Sequence, residues 1–419
     1  MASLLTARRF GPLFVTQFLG AFNDNLFKTA FVFLVAFHLR AGDPVGAATL
    51  ATVATGVFIL PFLLFSGLAG EVADARDKAA ITRAVKIAEI AFMALGAAAL
   101  ALESEPLALA VIFLMGVHST VFGPVKYAIL PQHLEPGELL LGTGLVEGAT
   151  FVAILLGQIA GGLLPAGIAG PVAIGVAVVG WIASRLIPPA PAASRNAPAA
   201  SRIAIDWNPF TASRRALGEA FANSELRIAT VCISWFWALG AVYTSQFVPL
   251  AKNDIGGTEG VATLFLAAFS IGVAAGSAGV SRLLGGHIST RLAPVAGLVM
   301  AAAGIDLYFA EASLGGAAGN VAAFLGQAGG WRVLADLTVL AVAGGIFSVP
   351  LYGVLQTATN PAGRARAIAA NNIVNAGFQV AAVLAIGAAI SRGAGIPAVL
   401  LAAGLTVVLL IPALRRLPR

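Results

Sequence analysis

Four polar side chains stand together in an otherwise apolar run, "TQFLGAFNDNLFKTAFVFLVAF", Thr16 to Phe37: Asn23, Asp24, Asn25 and Lys28. An acid and a base four residues apart share one face of a helix. In water such a group is ordinary. At the centre of a bilayer each charge costs at least about 2.5–3.5 kcal/mol, so it must find a partner or face a wet cavity. Two readings stay open. Asp24 and Lys28 form an intrahelical ion pair that neutralises both and helps to pack a bundle, or the pair, with Asn23 and Asn25, meets a zwitterionic or anionic headgroup or a coupling cation.

Other polar residues fall inside apolar runs: Glu89, His118, Lys126, Glu147, Gln158, Asp306, Asn371, Asn372, Asn375 and Gln379. Asn371, Asn375 and Gln379 lie at i, i+4 and i+8, one stripe down a helix. Facing lipid, those amides would go unsatisfied, so the stripe lines a cavity or binds another helix. Lys126 and Glu147 sit near the ends of neighbouring runs, in reach of each other. They either hold a phosphate and a gate, or are a snorkelled lysine and an interfacial acid. His118 can relay protons or simply be hydrogen-bonded. Glu89 and Asp306 rank lower.

The elements that position these groups follow from composition. Of 419 residues, 59% are hydrophobic and only 11% are charged, against about 25% charged in soluble domains. The apolar runs are about twice the length of the segments of a membrane β-barrel. Twelve spans are expected, at 10–38, 46–70, 79–101, 107–128, 142–164, 168–187, 226–250, 260–284, 291–312, 334–356, 366–390 and 395–414. At about 1.5 Å per residue most can cross a core of about 30 Å, and Asp24 falls near the midplane. Residues 313–333 read as a loop or a short re-entrant helix. The first run is too long for a signal h-region and is expected to be retained.

Lys and Arg divide unevenly: with the N-terminus inside, 19 fall on inside segments (Arg76, Lys78, Arg195, Arg202 and Arg419 among them) and only Arg40, Lys252, Arg332 and Arg392 outside. The positive-inside rule then places both termini in the cytoplasm and explains the +6 net charge without a nucleic-acid partner. "PPAPAASRNAPAASR" is a linker, and "DWNPFTASRRALGEAFANSELR" after it reads as an amphipathic helix on the cytoplasmic surface, with Trp207, Phe210, Leu217 and Phe221 alternating with Arg214, Arg215 and Glu219. The chain therefore divides into a first six-helix bundle (1–188), a cytoplasmic linker (189–225) and a second six-helix bundle (226–419). The bundles are alike: "GAATL" at Gly46 recurs as "GVATL" at Gly260, and "YAILPQHLEP" at Tyr127 as "YGVLQTATNP" at Tyr352. That is the pattern of parallel repeats. Gly144/Gly148, Gly157/Gly161 and Gly272/Gly276 are small-residue pairs that permit close helix contact, usable as a sliding interface between spans five and eight.

This organisation resembles the major facilitator superfamily. "GLAGEVADARDK", Gly67 to Lys78, fits the superfamily's loop between spans two and three, with Gly70, Asp74, Arg76 and Lys78 in the motif positions. The resemblance implies gating, Asp74 accepting from a basic group or a helix N-terminus. "SRLLGGHI" at the equivalent place in the second half has no acid. "QFLGAFNDN", "FGPVKYAILP" and "GLVEGATFVAILLGQIAGG" are similar to the bacterial lysophospholipid transporter family, and to the transporter module fused to acyltransferase and acyl-ACP synthetase domains. That similarity implies flipping of lysophospholipids of the phosphatidylethanolamine or phosphatidylglycerol type across the bacterial inner membrane for reacylation. It also implies a functional link to an acyltransferase or acyl-ACP synthetase outside this chain, a monomer, and headgroup contacts from the polar residues of spans one, four, five and eleven, Lys126 and Glu147 included.

Few tyrosines and tryptophans, with broad apolar walls, argue against sugars. One cysteine, Cys232, allows no internal disulfide. The four histidines show no metal-ligand spacing, and no metal, nucleotide or redox cofactor is expected. No nucleophile–base set or HExxH motif marks an enzyme. Two other functions remain open: a proton-coupled drug or small-molecule exporter with Asp24 as carrier, and a scaffold recruiting a lysophospholipid acyltransferase.

Overall fold

The computed structural model describes residues 2–192, 204–314 and 319–417; Arg195, Arg202, Arg419, much of the Pro/Ala/Ser linker and residues 315–318 lie outside the described residues. Among the described residues, twelve helices are long and apolar enough to cross a membrane: α1 Gly11–Leu39, α2 Val45–Ala75, α3 Lys78–Ala101, α4 Glu105–His133, α5 Pro136–Leu163, α6 Ala166–Arg185, α7 Ser224–Asp254, α8 Glu259–Leu283, α9 Ala293–Ala312, α10 Ala328–Thr357, α11 Pro361–Ser391 and α12 Ile396–Leu414. Each expected span has its helix. Where the ends differ, the helices mostly run further, and side-chain caps set several of the starts. Asp43 caps α2 by accepting from Gly46 N–H at 2.9 Å, Asp77 caps α3 from Ala80 N–H at 2.7 Å, and Asn223 caps α7 from Glu225 N–H at 2.9 Å. The chain reverses between successive helices within each half, and Asp74 at the end of α2 meets the start of α11, so the start of α1, the end of α2 and the end of α12 share one face, the termini face.

Residues 319–333 hold a helix of five residues, Val321–Leu325, before α10 begins. At about 1.5 Å per residue it is too short to re-enter a bilayer. It is tied to the α7–α8 turn instead, Thr258 N–H donating to the Gly319 carbonyl at 3.0 Å.

The helix expected on the surface spans Pro209–Ala222, capped by Asn208, whose side chain accepts from Phe210 N–H at 3.0 Å. Its orientation differs from the expected one. Ala212, Ala216 and Ala220 form the buried face, while Trp207 and Phe210 are 64% and 71% exposed. Close packing decides this: a Cβ on Gly67 of α2 would lie 2.6 Å from the Ala212 carbonyl carbon, so only small residues fit between the two helices.

The glycine pairs pack three different seams. Gly144 and Gly148 of α5 face Ser277 and Ala274 of α8, as expected. Gly157 and Gly161 instead face Phe22 and Leu26 of α1, and Gly272 and Gly276 of α8 face Ala341 and Val342 of α10. A Cβ on Gly144 would run into the Ser277 carbonyl. Overpacking of that kind costs about 1–3 kcal/mol, so Gly144→Leu is expected to lower the melting temperature of the purified protein measurably in a fluorescence melt. An unchanged melt would show that α5 and α8 are not closely apposed.

Candidate functional site

A cavity of about 240 Å³ opens between α1, α2, α4, α5, α7, α10 and α11. From α1 it takes Gln17, Asp24 and Asn25; from α4, His118, Ser119, Lys126 and Tyr127; from α11, Asn372, Asn375 and Gln379. Phe58, Ile59 and Phe62 of α2 make one apolar wall. Asp24, Asn25, Lys126, Asn375 and Gln379 were expected at such a site, and the structure brings them together.

Asp24 is the best-defined acceptor. Its Oδ2 accepts from Ser119 Oγ at 2.5 Å, and its Oδ1 has no hydrogen-bond partner among the described residues. Lys28 makes no ion pair with it; its Nζ lies 5.2 Å from the centroid of the Phe58 ring instead. The intrahelical pair is therefore not formed, and Lys28 lies outside the residues lining the cavity. Asn23 also turns away. Its Nδ2 donates to Glu89 Oε1 at 2.9 Å and to the Ala173 carbonyl at 3.2 Å, binding α1 to α3 and α6. Neighbouring helix positions differ by about 100°, so Asn23 and Asp24 cannot serve the same space. Asn25 donates to the Ala21 carbonyl at 2.9 Å.

Lys126 and Glu147 do not pair. Lys126 Nζ lies 3.5 Å from Thr150 Oγ1 and 5.0 Å from the centroid of Tyr127. Glu147, fully buried, accepts from the Tyr127 hydroxyl at 2.7 Å. Tyr127 stacks on Tyr352 at 4.7 Å between centroids, and the Tyr352 hydroxyl accepts from Trp237 Nε1 at 2.8 Å. The two tyrosines that mark the internal repeat thus meet ring on ring beneath the cavity. Glu147 sits behind them, one layer from the space it was expected to line. Of the polar stripe on α11, Asn375 accepts from Ser234 Oγ at 2.6 Å and Asn371 lies deeper, fully buried. Asn372 takes the cavity position opposite Gly123: a Cβ on Gly123 would lie 2.8 Å from Asn372 Nδ2.

The termini face is closed below this floor. Asp74, at the end of α2, accepts from the backbone N–H groups of Ala365 at 2.9 Å and Arg366 at 3.1 Å, at the start of α11, with the Arg366 guanidinium 3.6 Å away. A helix N-terminus and a cation both favour that carboxylate. Gly70 allows the approach, since a Cβ there would lie 2.7 Å from Ala369 Cβ. Lys78 is buried beside this contact, whereas Arg76 lies over the Trp207 ring at 5.9 Å and takes no part in it. Thr143 of α5 donates to Gln356 Oε1 of α10 at 3.0 Å. The surface helix joins in: Arg215 pairs with the buried Glu71 at 2.7 Å, and Arg366 donates to Glu219 at 2.9 Å. Toward the opposite face α2 and α11 expose apolar residues such as Val45 and Leu384.

Sequence reasoning passed over Gln17, Ser119, Thr150, Trp237, Tyr352 and the placement of Glu89. Thr150 and Gln17 hydrogen-bond each other at 3.1 Å across α5 and α1. Single hydroxyls and aromatics in an apolar helix give no periodic signal. Asp306, ranked low, pairs with the exposed Arg332 away from the cavity, and Gln158 is not among the lining residues.

Comparison with known proteins places this geometry. The Major Facilitator Superfamily matches residues 13–331. The lysophospholipid transporter LplT of Salmonella gallinarum is 28% identical over 365 residues, 86% of this chain and 82% of its own length. LplT of Serratia proteamaculans is 28% identical over 386 residues, 88% and 86% of the two chains. Among solved structures, the human organic anion transporter MFSD10 superposes with a TM-score of 0.78 at 15% identity, covering 97% of this chain and 99% of its own. The transporter FucP in its outward conformation gives 0.70 at 14%, covering 97% of each.

Proposed function

This chain belongs to the Major Facilitator Superfamily, a multi-pass membrane transporter and not an enzyme, and we propose that it moves lysophospholipids across the bacterial inner membrane by alternating access. Two halves, 1–188 and 226–419, rock about the cavity, the termini face is cytoplasmic, and the linker (189–225) joins the halves on that side. The carrying observation is a cavity that offers a free carboxylate oxygen on Asp24 and the Lys126 ammonium within one small space walled by apolar side chains. The similarity to two LplT proteins over most of both chains supports the same cargo.

The chemistry of a lysophosphatidylethanolamine headgroup fits these groups. Its ammonium meets Asp24 Oδ1, its phosphate meets Lys126, and the amides of Asn25, Asn372, Asn375 and Gln379 take its glycerol oxygens. About 240 Å³ is below the usual ligand-pocket range of about 300–1,000 Å³. It houses a headgroup but not an acyl chain as well. The single chain leaves along Phe58, Ile59 and Phe62 into the bilayer, and a second chain would crowd that exit. Asp74, with Gly70 and Lys78 around it, is the latch of the cytoplasmic gate, closed here. Arg76 holds the surface helix beside it, and Lys28 and Glu147 support the walls. The protein works as a monomer and hands its cargo to an acyltransferase on the cytoplasmic side.

Proteoliposomes of the purified protein test this. Fluorescent lysophosphatidylethanolamine should reach the inner leaflet at least tenfold faster than in empty vesicles, with its diacyl counterpart unaffected. Equal rates with and without protein would reject lipid transfer and leave a scaffold.

A further inference from the structure

The repeat that relates the two halves matches α3 with α9 and α6 with α12. In the first half the corner between these helices on the termini face is closed by protein. Asp77 caps α3, one oxygen accepting from Ala80 N–H at 2.7 Å, and its other oxygen accepts from Ala190 N–H, beyond the end of α6, at 3.0 Å. Lys78 N–H donates to the Ala190 carbonyl at 2.9 Å. The second half has no such closure. Leu292 stands where Asp77 would be and gives α9 no side-chain cap. Instead a cavity of about 240 Å³ lies between the start of α9 and the end of α12, lined by Thr290, Arg291, Val295 and Leu298 on one side and by Leu414 and Arg415 on the other.

Charge says what this corner lacks. Neither arginine forms an ion pair among the described residues. Arg291 Nη2 donates to the Leu283 carbonyl at the end of α8, at 3.3 Å, which holds its guanidinium in place and leaves further donors for a ligand. The second half offers no counter-charge: its five acids, Asp254, Glu259, Asp306, Glu311 and Asp336, all lie toward the opposite face. Two guanidinium groups on one small cavity repel each other, and the start of α9 adds partial charge of the same sign. A phosphate between them satisfies both. Val295 and Leu298 are four and seven residues on from Arg291, so they continue the same face of α9. They are 56% and 48% exposed, and Leu298 lies about 10 Å further along the helix, at the depth of acyl chains.

We propose that this corner is a binding site for one anionic phospholipid of the leaflet on the termini face, separate from the transport cavity. Its phosphate sits between Arg291 and Arg415 at the start of α9, and its acyl chains run down over Val295 and Leu298 in the bilayer. The bound phosphate does for α9 and α12 what Asp77 does for α3 and α6: it caps the helix start and ties the two outer helices together. A soluble phosphate could reach the arginines but would gain nothing from the apolar track beside them. Neither arginine lines the transport cavity, so the site is independent of what that cavity carries.

Native mass spectrometry of the full chain, delipidated in detergent and titrated with dioleoylphosphatidylglycerol, tests this. Wild-type protein should hold one such lipid in preference to dioleoylphosphatidylcholine. R291Q and R415Q should each weaken that binding about tenfold or more, the scale of one lost charge-assisted hydrogen bond. R416Q should bind as wild type does, because Arg416 is next in sequence but does not line the cavity. Inorganic phosphate at the same concentration should not displace the lipid. Equal binding of the two lipids, binding that survives both R291Q and R415Q, an equal loss in R416Q, or displacement by inorganic phosphate would overturn the proposal. If R291Q does not fold, the wild-type lipid comparison with R415Q against R416Q decides the matter.

Discussion

Asp24→Asn is expected to cut lysophosphatidylethanolamine transfer in proteoliposomes by roughly ten- to a hundredfold while leaving the protein folded. A hydrogen bond to a charged group is worth about 1.5–3 kcal/mol, and each 1.4 kcal/mol is about tenfold. The amide keeps the shape of the carboxylate, so the contact with Ser119 can persist, but the negative charge facing the ligand ammonium is gone. Lysophosphatidylglycerol has no ammonium to lose, so its transfer should fall much less. Equal losses for both lipids would mean that Asp24 supports the walls of the cavity and does not bind the headgroup.

The second large effect is expected at the closed face. Asp74→Ala removes the acceptor of two backbone N–H groups at the start of α11 and one of the two carboxylates beside the Arg366 guanidinium. Removing one partner of a buried charge pair costs about 3–5 kcal/mol. Here that cost falls on the closed arrangement alone, so the balance between closed and open should shift by roughly a hundredfold or more. Spin labels on Gln132 and His287, at the termini-face ends of α4 and α8, should report a single short distance in the wild type and a dominant longer one in the variant. An unchanged distance distribution would show that Asp74 merely solvates a polar turn.

The contact at Asp74 was the most legible part of the site. The resemblance of Gly70, Asp74, Arg76 and Lys78 to the superfamily's loop implied a carboxylate accepting from a basic group or a helix N-terminus, and Asp74 accepts from two N–H groups at the start of α11. The twelve helices were legible for the same reason: apolar length is a one-dimensional property. What lay beyond reach depends on rotation about helix axes. Asn23 and Asp24 are adjacent in sequence but serve different neighbours, one α3 and the other the cavity. Glu89 looked peripheral on α3, yet it anchors a buried cluster because Lys86, His118 and Asn23 converge on it from positions with no common spacing. Lys126 and Glu147 were in reach of each other, but Tyr127 takes an oxygen of Glu147 first. The surface helix presented two plausible faces, and only its docking against Gly67 selects the alanine one.

Everything about cargo depends on the headgroup entering the cavity between the halves. Photocross-linking with a lysophosphatidylethanolamine that carries the reactive group on its amine measures this directly. Label is expected on the segments 17–25 of α1, 119–127 of α4 and 372–379 of α11, and is expected to fall when unlabelled lysophosphatidylethanolamine competes. Label confined to outward-facing helix surfaces, such as the exposed residues Leu95 and Val179, and insensitive to competitor, would contradict a central site.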